Sequence, residues 1–277
     1  MEYVIGFFIA TFIALTGVGA GTVTVPVLVL FLGVPAPVAV GIGLMFATAV
    51  KLILVPAQIA RKNVSWRTLG SMLLGGVPGV LLGSFFLQHL ANAHSTNTLN
   101  AILGAILVTT ASWQILYSFR PMHQHAPPDR GRLLPWLMFP VGAEVGFSSA
   151  GAGALGSAAL LSLTTLLPAQ VVGTDITFGF VISLIGSGAH WFSHASNPSL
   201  LLHLIEGGVA GAVVGTVLTT HIPRRPLRLV LWVWLLILGG QFLFNSYQVW
   251  ARPRFHNAGG AMVRSNSAPG STVPRVN

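Results

Sequence analysis

The chain has 277 residues, of which 53% are hydrophobic and only 7% are charged. Soluble domains carry about 25% charged residues, so the five carboxylates of this chain exclude a soluble protein of this length. The net charge of +9 could suit nucleic acid, but most lysines and arginines fall in short loops and in the tail, as in membrane anchoring on the cytoplasmic side. The composition predicts an all-α protein that crosses the membrane several times, with no cysteine for disulfides or thiolate metal sites.

Eight apolar runs follow one another, at 3–32, 36–57, 68–90, 98–118, 133–167, 169–192, 199–219 and 226–247. A helix needs about 20 apolar residues to cross the hydrocarbon core, and six of the runs have about that length. The runs 3–32 and 133–167 are too long for one ordinary span. Both contain central glycines, each of which weakens a helix by about 1 kcal/mol relative to alanine. We expect these two runs to be broken, or to form re-entrant hairpins.

The domain organisation follows from the loops between these runs. The polar, proline-containing loop 119–132 separates a first transmembrane repeat, 1–118, from a second, 133–250. The remaining tail, 251–277, is rich in Gly, Ser and Pro and has little apolar surface to bury, which predicts disorder. The alternative is a tail that binds a partner.

An internal repeat relates the two halves. Shifting the sequence by 132 residues aligns 17–84 with 149–216 without a gap, and 16 of the 68 pairs are identical. The glycines match as clusters: 19–21 meets 151–153, and "GGVPG" at 75–79 meets "GGVAG" at 207–211. Repeated halves are typical of transporter folds.

Loop charge bears on whether the repeat is parallel or inverted. The loops 61–67, 119–132 and 221–228 are basic, whereas 91–97 and 193–199 carry no Lys or Arg. If both broken runs are re-entrant, all three basic loops fall inside the cell, as the positive-inside rule expects. We therefore favour inverted halves with six spans, two hairpins and both termini outside. The parallel alternative places 221–228 outside.

The glycine breaks are the first candidate site. Non-helical backbone is tolerated at membrane depth only where protein or a water-filled cavity satisfies it. A break also exposes a helix N-terminus, whose N–H groups and partial positive charge attract anions. The alternative is that small residues only let helices pack closely. The substrate-binding residues predicted at the breaks are Gly19, Gly21, Thr22, Thr24, Ser149, Gly151 and Gly153.

Ionisable residues inside apolar runs are functional candidates, because charge is costly in lipid. Lys51 would be a buried cation for an anionic substrate, or would extend towards the basic loop at residue 61. Glu144 could take a proton or pair with Lys51. Asp175 is either a coupling residue or the cap of its own helix. Glu206, beside two glycines, completes the predicted sites of ion or proton coupling.

Other chemistry finds little support in the sequence. His190 and His194 have the spacing of a helical pair, but a metal site needs more ligands, and we expect them at the membrane interface. Walker, GxSxG and HExxH motifs are absent from the sequence, which argues against ATP-driven transport and against an enzyme.

Four motifs occur in order in the first half: "GVGAGTVTVPVL", "VAVGIGLMFATAVKLI", "NVSWR" and "GGVPGVLLGS". The second half has the looser copies "AGAGALGSAALL", "VVGTDITFGF" and "EGGVAGAVVGT". This ordered set resembles the TauE/SafE family of sulfite exporters and related anion permeases. The family's Gly-Thr-Asp stands at 173–175 but is Gly-Ile-Gly at 41–43. Its Val-Asp-Trp is Val-Ser-Trp at 64–66, without the acid.

The resemblance implies a secondary transporter of sulfite or of another small sulfur-containing or organic anion in the cytoplasmic membrane. We expect a small anionic substrate and the lipid bilayer as partners, and a homo-oligomer is compatible with the sequence. We expect no nucleic acid, cofactor or metal. One alternative is a non-transporting assembly or accessory protein. Another is an integral membrane enzyme, although no cluster of catalytic polar groups is evident in the sequence.

Overall fold

The computed structural model describes residues 2–16, 19–93, 96–118, 130–150, 153–191, 198–218 and 224–251. This part of the chain is all-helical, as predicted. Besides a short 3-10 helix at Gly131–Leu133, its helices are α1 (Glu2–Thr16), α2 (Ala20–Leu32), α3 (Ala36–Ala60), α4 (Trp66–Ala93), α5 (Thr96–Ser118), α6 (Leu134–Ser148), α7 (Ala154–Leu163), α8 (Pro168–Trp191), α9 (Pro198–Leu218) and α10 (Arg224–Ala251).

Six of these helices, namely α3, α4, α5, α8, α9 and α10, are long and apolar enough to cross a membrane. They correspond to the six runs predicted as single spans. The two over-long runs are each divided into two shorter helices, α1 with α2 and α6 with α7. At 1.5 Å per residue, the 15 residues of α6 reach about 22 Å, short of the roughly 30 Å hydrocarbon core.

The helix bounds repeat along the chain with the offset found in the sequence. Adding 132 to the bounds of α1 gives those of α6, and α3, α4 and α5 begin within about one turn of the positions so predicted for α8, α9 and α10. The tail from 252 onwards, for which disorder is predicted, lies outside the described residues, as does most of the loop 119–132.

Glycines decide how the helices of the two halves pack. Gly75, Gly79 and Gly83 occur at four-residue intervals on one side of α4, and each lies against a backbone carbonyl of α6. The matching glycines of α9, at positions 207, 211 and 215, lie against the backbone of α1. Small residues at this spacing let transmembrane backbones approach closely. Each glycine-rich helix therefore packs against the first helix of the other half.

The two halves also pack against each other in the buried core. Phe46 of α3 and Phe178 of α8 are both fully buried and are separated by the repeat offset of 132 residues. The ring of Phe46 covers Gly208, where an added Cβ would lie 2.5 Å from it, and the ring of Phe178 covers Gly76, at 2.6 Å. The core thus interlocks the two halves instead of filling each one separately.

The helices α3 and α8 cross in opposite directions. Gly41, near the start of α3, lies against His190, near the end of α8. Asn63, just after α3, lies against Gly173, near the start of α8, and the Ser65 N–H donates to the Thr174 hydroxyl at 3.0 Å. The loop after α3 is therefore fastened to the first turns of α8.

We expect Gly79→Ala to destabilise the protein and Gly70→Ala not to do so. A Cβ at Gly79 would collide with the carbonyl oxygen of Phe139, whereas a Cβ at Gly70 on the same helix meets nothing within 4 Å. Overpacking costs about 1–3 kcal/mol, and Gly→Ala in an open helix gains about 0.5–1 kcal/mol. Thermal unfolding in detergent measures both. Equal unfolding temperatures for the two variants would refute this account of the packing.

Candidate functional site

Both helix breaks lie inside the protein. Gly19 precedes α2, Gly153 precedes α7, and both are buried. Both N-cap residues are glycines, so neither has a side chain that could cap its helix. The first N–H groups of a helix have no partner within that helix and are met by side chains, water or ligands. Both over-long runs therefore contain a buried helix start, and binding of an anion there stays a prediction.

The two breaks also meet each other. Gly21, in the first turn of α2, lies directly against the backbone and the hydroxyl of Ser149, which follows α6. Gly43 of α3 borders the same hydroxyl: a Cβ there would lie 3.1 Å from the Oγ of Ser149. Gly21, Gly43 and Ser149, which belong to three different apolar runs, thus lie close together in the fold.

Ser149 has an unusual conformation at this junction. It ends α6 in the left-handed region, with φ 60°, while its N–H donates to the carbonyl of Val145 at 2.8 Å. Its side chain is buried and the Oγ finds no hydrogen-bond partner among the described residues. Strained residues and unsatisfied buried polar atoms are both uncommon, and they concentrate at functional sites. The Ser149 hydroxyl is therefore a ready hydrogen-bonding group beside the start of α2.

The predicted threonines are buried next to this point. The Thr22 hydroxyl donates to the Gly19 carbonyl at 2.5 Å, and the Thr22 N–H donates to the same oxygen at 3.2 Å. Thr22 thus stabilises the first break, and its hydroxyl proton is already engaged in the hydrogen bond to Gly19. Thr24, two residues further along α2, is fully buried. Gly151, the remaining predicted residue, lies outside the described part of the chain.

Lys51 is buried within the protein, with 7% of its surface exposed. Its Nζ donates to the Ser183 hydroxyl of α8 at 3.4 Å, so the alternative in which it extends towards the loop at residue 61 is wrong. Ser183 stands 132 residues after Lys51, at the equivalent position of the second half. Lys51 lies eight residues beyond Gly43, about 12 Å along α3, and is therefore set apart from the meeting point of the breaks.

Asp175 belongs to the second break. Its Oδ2 accepts a hydrogen bond from Ser157 at 2.5 Å, and Gly156 lies against its Oδ1. Both partners are in the first turn of α7, where the helix dipole favours a carboxylate. Asp175 lies well inside α8, which begins at Pro168, so the alternative that it caps its own helix is wrong.

The other two predicted acids lie elsewhere. Glu144 of α6 accepts a hydrogen bond from the Thr110 hydroxyl of α5 at 2.6 Å, and no ion pair joins it to Lys51 within the described residues. Glu206 is exposed on α9, where the first half has the exposed Leu74. Neither acid reaches the breaks, and their role in coupling stays a prediction from the sequence.

His190 and Ser183 are the residues that the sequence reasoning undervalued. His190 ends α8 as expected, but its ring is buried, and Nε2 lies 3.3 Å from the Gly146 carbonyl, one turn before Ser149. His194 lies outside the described residues. The repeat offset applied to Lys51 would have identified Ser183. Over the described ranges, no three His, Asp or Glu side chains are grouped as metal ligands.

The sequence of the chain is similar to those of known membrane proteins. The family model described as "Sulfite exporter TauE/SafE" matches residues 3–242. A similar protein is "Probable membrane transporter protein YjnA" of Bacillus subtilis (strain 168), 26% identical over 245 residues, covering 84% of this chain and 95% of that protein. No solved structure matches. The chain belongs to the TauE/SafE family of membrane transporters.

Proposed function

We propose that the protein is a secondary transporter of a small anion, such as sulfite or another small sulfur-containing or organic acid anion. Its family supports transport, and the family name supports sulfite as the first anion to test. The observation that carries the proposal is the contact between Gly21 and Ser149, which joins the two breaks inside the helix bundle. Packing alone does not require an uncapped helix start and an unpartnered hydroxyl at the same buried point.

We assign the anion to the first break. The start of α2 is buried and lacks a side-chain cap, and its N–H groups and dipole favour negative charge. Ser149 adds a hydroxyl, and Gly21 and Gly43, which have no side chains, let this hydroxyl lie close to the start of α2. Small oxyanions with several acceptor oxygens suit this arrangement of backbone and hydroxyl donors.

We assign the coupling ion or proton to the second break. Where the first half has Gly43, the second half has Asp175, whose carboxylate lies at the start of α7. The negative charge that the start of α7 favours is therefore already supplied by the protein. Transporters of this kind bind substrates and coupling ions at the ends of broken helices near the midplane. The hydrogen bond from Lys51 to Ser183 joins α3 to α8, the helix that carries Asp175.

We further propose that the two repeats, 1–118 and 133–250, are inverted in the cytoplasmic membrane. Two contacts support this organisation: α3 and α8 run in opposite directions, and the Arg130 N–H donates to the Leu163 carbonyl at 2.9 Å. The second contact joins the residues before α6 to the end of α7, as a re-entrant hairpin requires. The three basic loops then share one side of the membrane.

Single cysteines test the inversion, and the native chain contains none. Ser65→Cys, before α4, and Ser196→Cys, in the corresponding loop before α9, should react from opposite sides of the membrane. Labelling of intact and permeabilised cells with an impermeant maleimide measures the side. Reaction of both thiols from the same side would exclude inverted repeats.

Flux of radiolabelled anions into proteoliposomes tests the function. We expect saturable sulfite flux above protein-free liposomes, with competition by related anions among thiosulfate, sulfate and small carboxylates. Imposed pH gradients would show whether protons are coupled. An absence of flux for the whole panel would favour the accessory-protein alternative, and substrate turnover in detergent without a gradient would favour an enzyme.

A further inference from the structure

A polar cavity lies away from the breaks, at the end of the bundle where α4 and α6 begin and α7 ends. Its volume is about 700 Å³, and Arg67, Arg130 and Arg132 line it together with Thr68, Ser71 and Thr165. The ten residues of α7 separate it from Gly153, a distance of about 15 Å along that helix. The cavity is therefore distinct from the site proposed at the breaks.

The charge of this cavity is unbalanced. None of the three arginines forms an ion pair within the described residues. Three carboxylates of the described residues contact other groups: Glu2 contacts His203, Glu144 contacts Thr110, and Asp175 contacts Ser157. The exposed Glu206 is on α9, which contributes nothing to the cavity lining. Asp129 lies outside the described residues.

Hydrogen bonds of backbone and side-chain groups hold the cavity walls in place. The Arg130 N–H is bonded to the end of α7, which fixes the segment carrying Arg130 and Arg132. The loop before Arg67 is bonded through the Ser65 N–H to Thr174 of α8, and the Ser65 and Thr68 hydroxyls lie 2.9 Å apart. The arginines thus start from backbone positions fixed by the fold.

We propose that this cavity is an anion-binding site for a tetrahedral oxyanion, either a small ion such as sulfate or the phosphate group of an anionic lipid. Guanidinium groups bind such oxyanions through paired N–H···O hydrogen bonds, and hydroxyl side chains supply further donors. Arginines that serve only as topological anchors need not line a common cavity. Arg61 and Lys62, in the loop before α4, are exposed like the three arginines but do not line the cavity, and they have that simpler arrangement.

The test uses Ser71→Cys, a single thiol in the cavity wall, on the full chain in nanodiscs of neutral phosphatidylcholine. The rate of its reaction with a neutral maleimide is measured with sulfate or with chloride at equal ionic strength. We expect saturating sulfate to slow the reaction at least fivefold. Adding Arg67→Gln, Arg130→Gln and Arg132→Gln together should remove this protection, whereas Arg61→Gln with Lys62→Gln should retain it.

The lipid source is distinguished by repeating the measurement in nanodiscs that contain phosphatidylglycerol. Slow reaction without sulfate, reversed by the three Arg→Gln substitutions, identifies the lipid phosphate as occupant. If the triple variant is not monodisperse, Arg132→Gln alone should weaken sulfate protection at least threefold. Equal protection in the triple variant and in the parent, or none in either lipid, would overturn the proposal. The binding readout requires no flux, so its outcome is independent of the proposed transport.

Discussion

Gly21→Ala should reduce anion flux at least about tenfold, because the added methyl group would occupy the space held by the Ser149 carbonyl and hydroxyl. The nearest atom is the backbone carbonyl oxygen of Ser149, which cannot rotate away as a flexible side chain would. Overpacking of this kind costs about 1–3 kcal/mol, here at the point where both breaks meet. Flux per reconstituted protein, with equal incorporation checked by immunoblot, measures the effect.

Gly188→Ala and Gly240→Ala are matched controls for this variant. An added Cβ meets nothing within 4 Å at either position, and both positions are within membrane-spanning helices. Both controls should transport within twofold of the parent protein. If Gly21→Ala also transports at that rate, the contact between the breaks is not needed for function.

Lys51→Ser should lower flux at least tenfold, because it removes the buried cation between α3 and α8 and its hydrogen bond to Ser183. Lys62→Ser, which removes an exposed lysine from the following loop, should leave flux within twofold. Steady-state flux at saturating and limiting anion concentrations separates a loss of turnover from a loss of affinity.

The swap of Lys51→Ser with Ser183→Lys gives this prediction a sharper form. The two side chains hydrogen-bond to each other and are related by the repeat offset, so the double variant keeps one cation between α3 and α8. It should recover at least a third of the parent flux if the cation itself matters. No recovery over Lys51→Ser, in well-folded protein, would show that Lys51 acts through some other contact.

The sequence was sufficient for the fold class and the helix bounds, because membrane spans depend on local hydropathy and on the length of each apolar run. The predicted runs 36–57 and 169–192 begin and end within a few residues of α3 and α8. The sequence did not reveal that α4 packs on α6 and α9 on α1. This packing depends on close backbone contacts at Gly79 and Gly211, whose partners are far away in the chain.

The candidate site was predictable in its elements but not in its assembly. Glycine clusters within over-long runs indicated the breaks, since such backbone needs special partners inside a membrane. The meeting of Gly21 with Ser149 depends on how two separate runs are placed against each other, which periodicity cannot report. The same limit explains Glu144, whose partner Thr110 belongs to a helix that no local pattern connects to it.

Modification of a single thiol at Ser149 tests the central claim, that the transported anion binds where the breaks meet. Ser149→Cys in the otherwise cysteine-free chain is first shown to transport, and is then treated in proteoliposomes with a small charged methanethiosulfonate. We predict that complete modification abolishes flux and that the transported anion, present during the treatment, slows the modification. Undiminished flux through fully modified protein, or a modification rate that the anion does not change, would contradict the account.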